Sequence, residues 1–325
     1  MDSRNPLRRS GKQESNAILL YNRSGNFQRS CDPPTRVQAF EFYRFRFWFE
    51  AIDAVRFPPG PSANVLRGAL GKHLLEAATP AAYRSLFQPG GGGKGVPSGL
   101  ADWPRPFVLR CAHLDGATFP PGTPFFFDAH IFELRRPVLA WFRAAFDRAA
   151  EAGLGLGRGR ARLTGVEQLD LDGHPEPIEG AAPCSVSLDG PATCVNTVTL
   201  RFATPTERKG GGRVTDRPEF PVLFGRIRDR IANLRALYGA GALDVDVRAL
   251  GERAAQVRLV RCDLAWEYAA RKSTRTGLTH PLGGFTGQAE YQGELGEFLP
   301  WLRAAQWMGV GRQTVWGKGE VLIQG

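Results

Sequence analysis

The chain carries, close to its end, a run of glycines interleaved with cations. Written out it is Gly309-Val310-Gly311-Arg312-Gln313-Thr314-Val315-Trp316-Gly317-Lys318-Gly319, a G-x-G-x5-G-x-G pattern. Glycine lets backbone N–H groups come close to a ligand and adopts conformations closed to other residues. Arg312 and Lys318 among the glycines suit a ligand that is anionic. The loop follows Leu295 to Met308, where Phe298, Leu299, Leu302, Ala305 and Met308 recur at helical spacing, and precedes a short strand from Glu320 to Ile323. Phosphate loops of NTPases and dinucleotide folds run in the opposite order, strand then helix, which argues against a nucleotide cofactor. A plain helix-stopping turn is the other reading of the same glycines. Five histidines, His73, His113, His130, His174 and His280, can exchange protons near neutral pH. No cluster of Asp, Glu and His with ligand spacing stands out, so no metal and no cofactor is expected. The five cysteines (Cys31, Cys111, Cys184, Cys194, Cys262) include no CxxC pair, which excludes a zinc or disulfide framework at the level of spacing.

The elements that must position these groups follow from periodicity. Residues 1–35 are polar, basic and aperiodic, and a disordered extension is expected there. Val37 to Ala51 reads as a strand, with Phe45, Phe47 and Phe49 alternating onto one face. Pro58-Pro59-Gly60-Pro61 breaks it, and Ser62 can cap a helix to about Ala78 striped by Leu66, Leu70, Leu74 and Ala77. A glycine-rich loop from Gln88 to Gly99 carries Lys94. Strands over Phe107 to Cys111 and Phe125 to Leu134, a helix over Arg136 to Ala152, glycines from Gly153 to Gly159 and a strand near Leu163 to Leu171 complete the first half.

The order then repeats. A strand from Cys194 to Ala203 precedes a helix from Phe220 to Tyr238 that carries Arg226, Arg228, Arg230 and Arg235. Strands from Gln256 to Tyr268 and Gly287 to Gly293, the helix before the terminal glycines and the last strand follow. Trp141-Phe142-Arg143-Ala144-Ala145 before the first glycine run is echoed by Trp301-Leu302-Arg303-Ala304-Ala305 before the second. The expectation is an α+β protein of two tandem ferredoxin-like (RRM-like, βαββαβ) domains, residues 36–180 and 190–325. Such a unit places both helices on one face of an antiparallel sheet. In RRM-type modules the other face carries single-stranded RNA.

Composition agrees with a globular chain. Of 325 residues 42% are hydrophobic, enough for a sizeable core. No apolar run reaches the roughly eighteen residues of a membrane span, and no signal-peptide h-region follows the basic N-terminus. Net charge is +10, and the first 35 residues supply only six Lys/Arg against three Asp/Glu. The body of the chain is therefore basic too, which favours a polyanionic partner. Scattered free cysteines fit a reducing, cytoplasmic setting.

Several phrases in order resemble a known family. They are Leu66-Arg67-Gly68-Ala69-Leu70-Gly71, Arg201-Phe202-Ala203-Thr204-Pro205-Thr206, Arg226 to Leu234, Trp266, Arg271-Lys272-Ser273, Gly283-Gly284-Phe285-Thr286-Gly287, Tyr291-Gln292-Gly293 and the terminal loop. Together they are similar to the CRISPR-associated endoribonucleases of the RAMP superfamily, which process precursor CRISPR RNA. The resemblance spans about residues 36–325 and is densest in the second half. It implies binding of the CRISPR repeat RNA and metal-independent cleavage, in which the 2′-hydroxyl attacks the adjacent phosphate and leaves a 2′,3′-cyclic phosphate. Subunits of a CRISPR effector complex are further partners it suggests. A non-cleaving RNA-binding subunit of such a complex shares the fold and the glycine loop and is the alternative.

That chemistry needs a base for the 2′-hydroxyl, an acid for the leaving oxygen and a cation for the phosphate. Catalytic residues vary within the family, and a histidine near the first helix is the usual arrangement. His73 takes that place here, with Tyr83 and Lys94 as helpers in proton transfer and phosphate neutralisation. Arg67, Arg226, Arg230, Arg312 and Lys318, with Gly309, Gly311, Gly317 and Gly319, are expected to hold the RNA. His130, on one strand face with Phe126 and Asp128, reads as packed, and His113 and His174 as exposed. His280 lies in the half that, in the family this chain resembles, usually binds rather than cleaves.

Overall fold

The computed structural model describes residues 38–60, 62–90, 103–180, 182–189, 194–207, 209–210, 213–214, 217–268, 270–272, 279–281 and 283–324. The extension expected over residues 1–35 and Lys94 lie outside them. The first half runs β1 (Ala39–Ala51), β2 (Val55–Arg56), α1 (Ser62–Ala77), α2 (Pro80–Phe87), β3 (Phe107–Arg110), β4 (Thr118–Phe119), β5 (Pro124–Ile131), α3 (Leu139–Ala152), β6 (Ala161–Leu169), β7 (Pro175–Glu176) and β8 (Cys184–Ser187). The second runs β9 (Thr197–Thr206), β10 (Lys209–Gly210), β11 (Arg213–Val214), α4 (Phe220–Tyr238), α5 (Val247–Ala254), β12 (Arg258–Glu267), β13 (Ala270–Lys272), β14 (Thr279–Pro281), β15 (Gly284–Gln292), α6 (Leu299–Met308) and β16 (Val321–Gln324).

Strand order is β3-β5-β1-β6-β7 in one sheet and β12-β15-β9-β16 in the other, all pairs antiparallel. Within each half the second strand lies beside the third, the third beside the first and the first beside the fourth. This is the ferredoxin-like arrangement, twice over. The echoed Trp-x-Arg-Ala-Ala phrases fall on α3 and α6, the second long helix of each unit.

β1 explains how the two units meet. Phe45, Phe47 and Phe49 are buried against the first half's helices, and Phe47 and Phe49 stack on Phe127 across the strand pair at 5.5 Å. Towards its start the buried phase changes: Phe40 and Phe42 are buried instead, and Tyr43 and Arg44 between the two sets are half-buried. Because a strand's side chains alternate faces, Phe40 and Phe42 point to the side opposite Phe45. There they join one hydrophobic cluster with Phe132 of the first half and Leu223, Ile227, Phe285 and Leu302 of the second. The second half thus covers one end of the first sheet's open face. Val37–Gly325 is a single compact unit.

Three arginines and a neutral histidine fasten the same junction. Arg135 donates to the carbonyls of Ala236, Leu237 and Gly239 at the C-terminus of α4. At the C-terminus of α6, Arg110 reaches the Gln306 carbonyl at 2.8 Å, His130 Nδ1 lies 2.8 Å from the Trp307 carbonyl, and Arg230 donates to the Met308 carbonyl. The last carbonyls of a helix lack intrahelical partners and sit at the negative end of its dipole, where positive donors are favourable.

Candidate functional site

The terminal loop is set by its glycines. Gly309 (φ 73°) ends α6, and Gly311, Gly317 and Gly319 also have positive φ (83°, 78° and 75°). At Gly311 an added Cβ would lie 2.6 Å from the Glu207 carbonyl oxygen, and at Gly317 2.6 Å from the Cβ of Ala63 on α1. No other residue fits either position without moving the backbone. The N–H groups of Gly309, Gly317 and Gly319 donate to Ala305, Thr314 and Pro205, and those of Val310 and Arg312 to Gly319 and Glu207. Much of the loop's donor capacity is therefore spent inside the protein.

The loop is also where the second half enters the first. Val315 belongs to the first half's core cluster. Arg67 of α1 is 9% exposed, with its guanidinium 4.6 Å from the Phe87 ring of α2 and 5.2 Å from the Trp316 ring of the loop. Two successive helices and the terminal loop, distant in sequence, meet at this one arginine by cation–π contact.

Lys318 does not face solvent. It is 1% exposed, and its Nζ donates to the Gly283 carbonyl at 2.6 Å and to Gln313 Oε1 at 3.1 Å, with Glu207 Oε2 at 3.5 Å. Burial lowers its pKa, opposed by the Glu207 carboxylate. Arg312 takes the other oxygen of Glu207 at 3.0 Å, and its side chain is 55% exposed. Glu207 is the group that sequence reasoning missed; it directly follows the Thr204-Pro205-Thr206 phrase that drew attention. Arg226 is exposed on α4, whereas Arg230 is half-buried. Burial, then the nearby Arg110 charge, holds the Arg230 pKa down to about 10.

His73 is on α1 as expected but only 7% exposed, with Nδ1 3.3 Å from Glu76 Oε2 one turn on. Arg67 and Gly71 face the Phe87 ring. His73, six residues beyond Arg67, lies about 240° round the helix and roughly 9 Å along it, on a different face from the loop contact. Tyr83 on α2 is half-buried and stacks on Phe87 at 5.6 Å. So the structure brings Arg67, α2 and the glycine loop together and sets His73 apart from them. His113 and His174 are exposed, and His130 is buried at the α6 cap.

One expectation needs correction. Among the described residues Asp170, Asp172 and His174 do come together, their ligand-type atoms within 4.8 Å. The spacing was hidden because a tight turn closes it, with Gly173 at φ 94° and the Asp170 N–H donating to the His174 carbonyl. Asp170 already accepts from the His174 N–H, which lowers its pKa.

Residues 200–321 match the family model of the CRISPR-associated endoribonuclease Cas6. That stretch of the second half is similar to the Cas6 endoribonuclease family. Residues 40–184 match a separate family model for an N-terminal domain. Solved Cas6 structures share the fold. A Cas6 product complex superposes with a TM-score of 0.54 at 19% identity over 88% of this chain and 100% of that one. Thermus thermophilus Cas6 does so with 0.52 at 18% identity over 87% of this chain and 98% of that one. A partial Cas6-RT-Cas1–Cas2 complex gives 0.55 at 13% identity over 89% of this chain and 47% of that one. No curated protein matches the chain. Among the described residues no helix is long and apolar enough to cross a membrane.

Proposed function

We propose that the chain binds CRISPR repeat RNA and cleaves the precursor transcript without a metal ion, by attack of a 2′-hydroxyl on the adjacent phosphate. The observation that carries this reading is the Cas6 domain's glycine loop seated on α1 through Gly317 and Arg67. It ties the domain that carries the family signature to the helix that carries His73. Arg312 and Arg226 meet phosphates, and Lys318 holds the loop's shape from inside through Glu207. His73 exchanges the proton, and Tyr83 is the second candidate for that task. The two halves correspond to domains over residues 36–180 and 190–325.

The test is cleavage of a synthetic repeat from the neighbouring CRISPR array in the presence of EDTA. A 2′,3′-cyclic phosphate product is expected, and a 2′-deoxy nucleotide at the cut site blocks the reaction. Activity lost to EDTA and restored by Mg²⁺ overturns the mechanism and draws attention to Asp170, Asp172 and His174. His73→Ala lowers single-turnover cleavage by about 10² to 10⁴ with little change in affinity. A rate equal to wild type removes His73. The burial of His73 favours a second reading, in which the protein holds repeat RNA as a non-cleaving subunit of an effector complex. Tight binding with intact RNA after long incubation supports that outcome.

A further inference from the structure

We propose that the uncovered end of the first sheet's open face is a slot that stacks one unpaired nucleobase of the RNA; this rests on reading the protein as an RNA-binding one. Phe40, Phe42, Phe132 and His130 share that face and lie under the second half. Arg44, its guanidinium 5.3 Å from the Trp307 ring, marks the edge of the cover. Beyond it the same face continues through Arg46 and Trp48 on β1 and Asp128 and Phe126 on β5, the two central strands. Trp48 and Phe126 are directly opposed, with centroids 4.9 Å apart, and both are half-exposed.

The third side of the slot is a glycine. Gly165 of β6 is opposite Trp48, beside an irregularity in strand register. Its φ is not positive, and an added Cβ there would meet nothing within 4 Å. Glycine inside a strand marks places where something else comes close to the backbone. The surroundings are polar and fixed. Glu167 accepts the Trp48 Nε1 hydrogen at 2.8 Å, while Arg46, paired to Asp128, covers the Phe126 ring at 4.1 Å and exposed His113 packs on that ring at 4.7 Å, so Trp48 is the ring that offers a stacking face. The rings are thus held in place while Gly165 leaves room beside Trp48.

An aromatic wall with charged groups at its edge matches how proteins take unpaired bases, by stacking on the ring and hydrogen bonding along the base edge. The exposed Arg162 nearby, paired to the exposed Glu50 at 3.0 Å, and the net charge of +10 suit the phosphates on either side. The second sheet provides the contrast. Its open face has Thr199, Arg201, Gln288 and Glu290 at the paired central positions and no aromatic among them. The feature belongs to one unit and not to the repeat.

The experiment uses the full chain, a single-stranded oligouridine RNA carrying 5-iodouridine, and the repeat RNA as a binding control. Photo-crosslinking in the wild type is expected to map to the β1 peptide with Trp48 or the β5 peptide with Phe126. Gly165→Val, a strand-favouring residue in open space, should keep the melting temperature, lose the crosslink and weaken oligouridine binding by about tenfold or more. Trp48→Phe should retain most of both. Crosslinks only at other segments, or Gly165→Val binding like wild type, overturn the slot. Either result leaves the ribonuclease reading standing if repeat RNA still binds. Should Gly165→Val unfold, the wild-type crosslink decides. Failure of the wild type to bind either RNA overturns both readings, and crosslinking to a second copy of the chain assigns the slot to self-association instead.

Discussion

Two cations on one loop have opposite fates, and Glu207 decides between them. Lys318 is sealed inside with three oxygen partners, whereas Arg312 reaches the same carboxylate from solvent. Breaking a buried pair is costly, so Lys318→Met should destabilise the protein by about 3 kcal/mol in thermal unfolding. Arg312→Ala should leave the melting temperature nearly unchanged, because the Arg312 side chain is solvent-exposed and Lys318 still pairs the buried Glu207 carboxylate. It should instead flatten the dependence of log affinity on log salt by about 0.7 for single-stranded RNA. An Arg312 variant that melts early with an unaltered salt slope would reverse these roles. His130 gives a pH prediction. Burial, then the Arg110 charge, holds its pKa down to about 3 from the ordinary 6.5, with Asp128 opposing and Arg44 adding to the shift. The unfolded chain takes up a proton near pH 6.5 that the folded chain refuses. Stability is therefore full above that pH and drains as pH falls towards 3. His130→Asn, which can still donate to the Trp307 carbonyl, should lose less stability over that window; a parallel acid profile would contradict this.

The glycine loop and α1 act as a lock between helix and strand. Gly311→Val combines a positive φ with a carbonyl oxygen 2.6 Å from the new Cβ, so the loop must move away from Glu207. The expected result is a lower melting temperature and weaker RNA binding together; a loss of binding alone would mean that the loop's shape tolerates the side chain. Other elements show how far local signals reach. The longer strands and long helices were legible because their periods are local, and Phe220–Tyr238 matches its helix to the residue; the short strands, β8 on β1 among them, were not read. The two short helices α2 and α5 were not, although Thr79 and Asp246 cap them through their side chains. Eight residues hold too little periodicity to outweigh a loop. β1 is the instructive case: Phe40 and Phe42 fall out of phase with Phe45, Phe47 and Phe49 in plain view. That change has meaning only once a second body lies on the other face. The inward turn of Lys318 was equally hidden, since Glu207 is 111 residues away in sequence.

Across the molecule, one cluster of buried side chains runs from β1 through β9 and β15 to α4 and α6. Unfolding should therefore be a single transition by circular dichroism and by fluorescence. Phe42→Ala, at the shared boundary, should lower the whole transition, by about 3 to 5 kcal/mol, rather than split it. Two separated transitions would mean that the units hold independently. The repeat itself was legible because each unit restates the same order of elements, while the joint between units is written in single residues scattered along the chain. Those residues bear on how such a protein can change. Arg110, His130 and Arg135 of the first unit end the helices of the second, so neither unit is a cassette. A chimera that grafts this second half onto a foreign first half would strip both helix ends of these partners, leaving only Arg230 at the end of α6, and should precipitate or melt early. Restoring those three side chains at matching positions of β3, β5 and the connection after β5 should recover it. The two units repeat one order of elements, yet the two arginines and the neutral imidazole that end these helices make each unit native only beside the other.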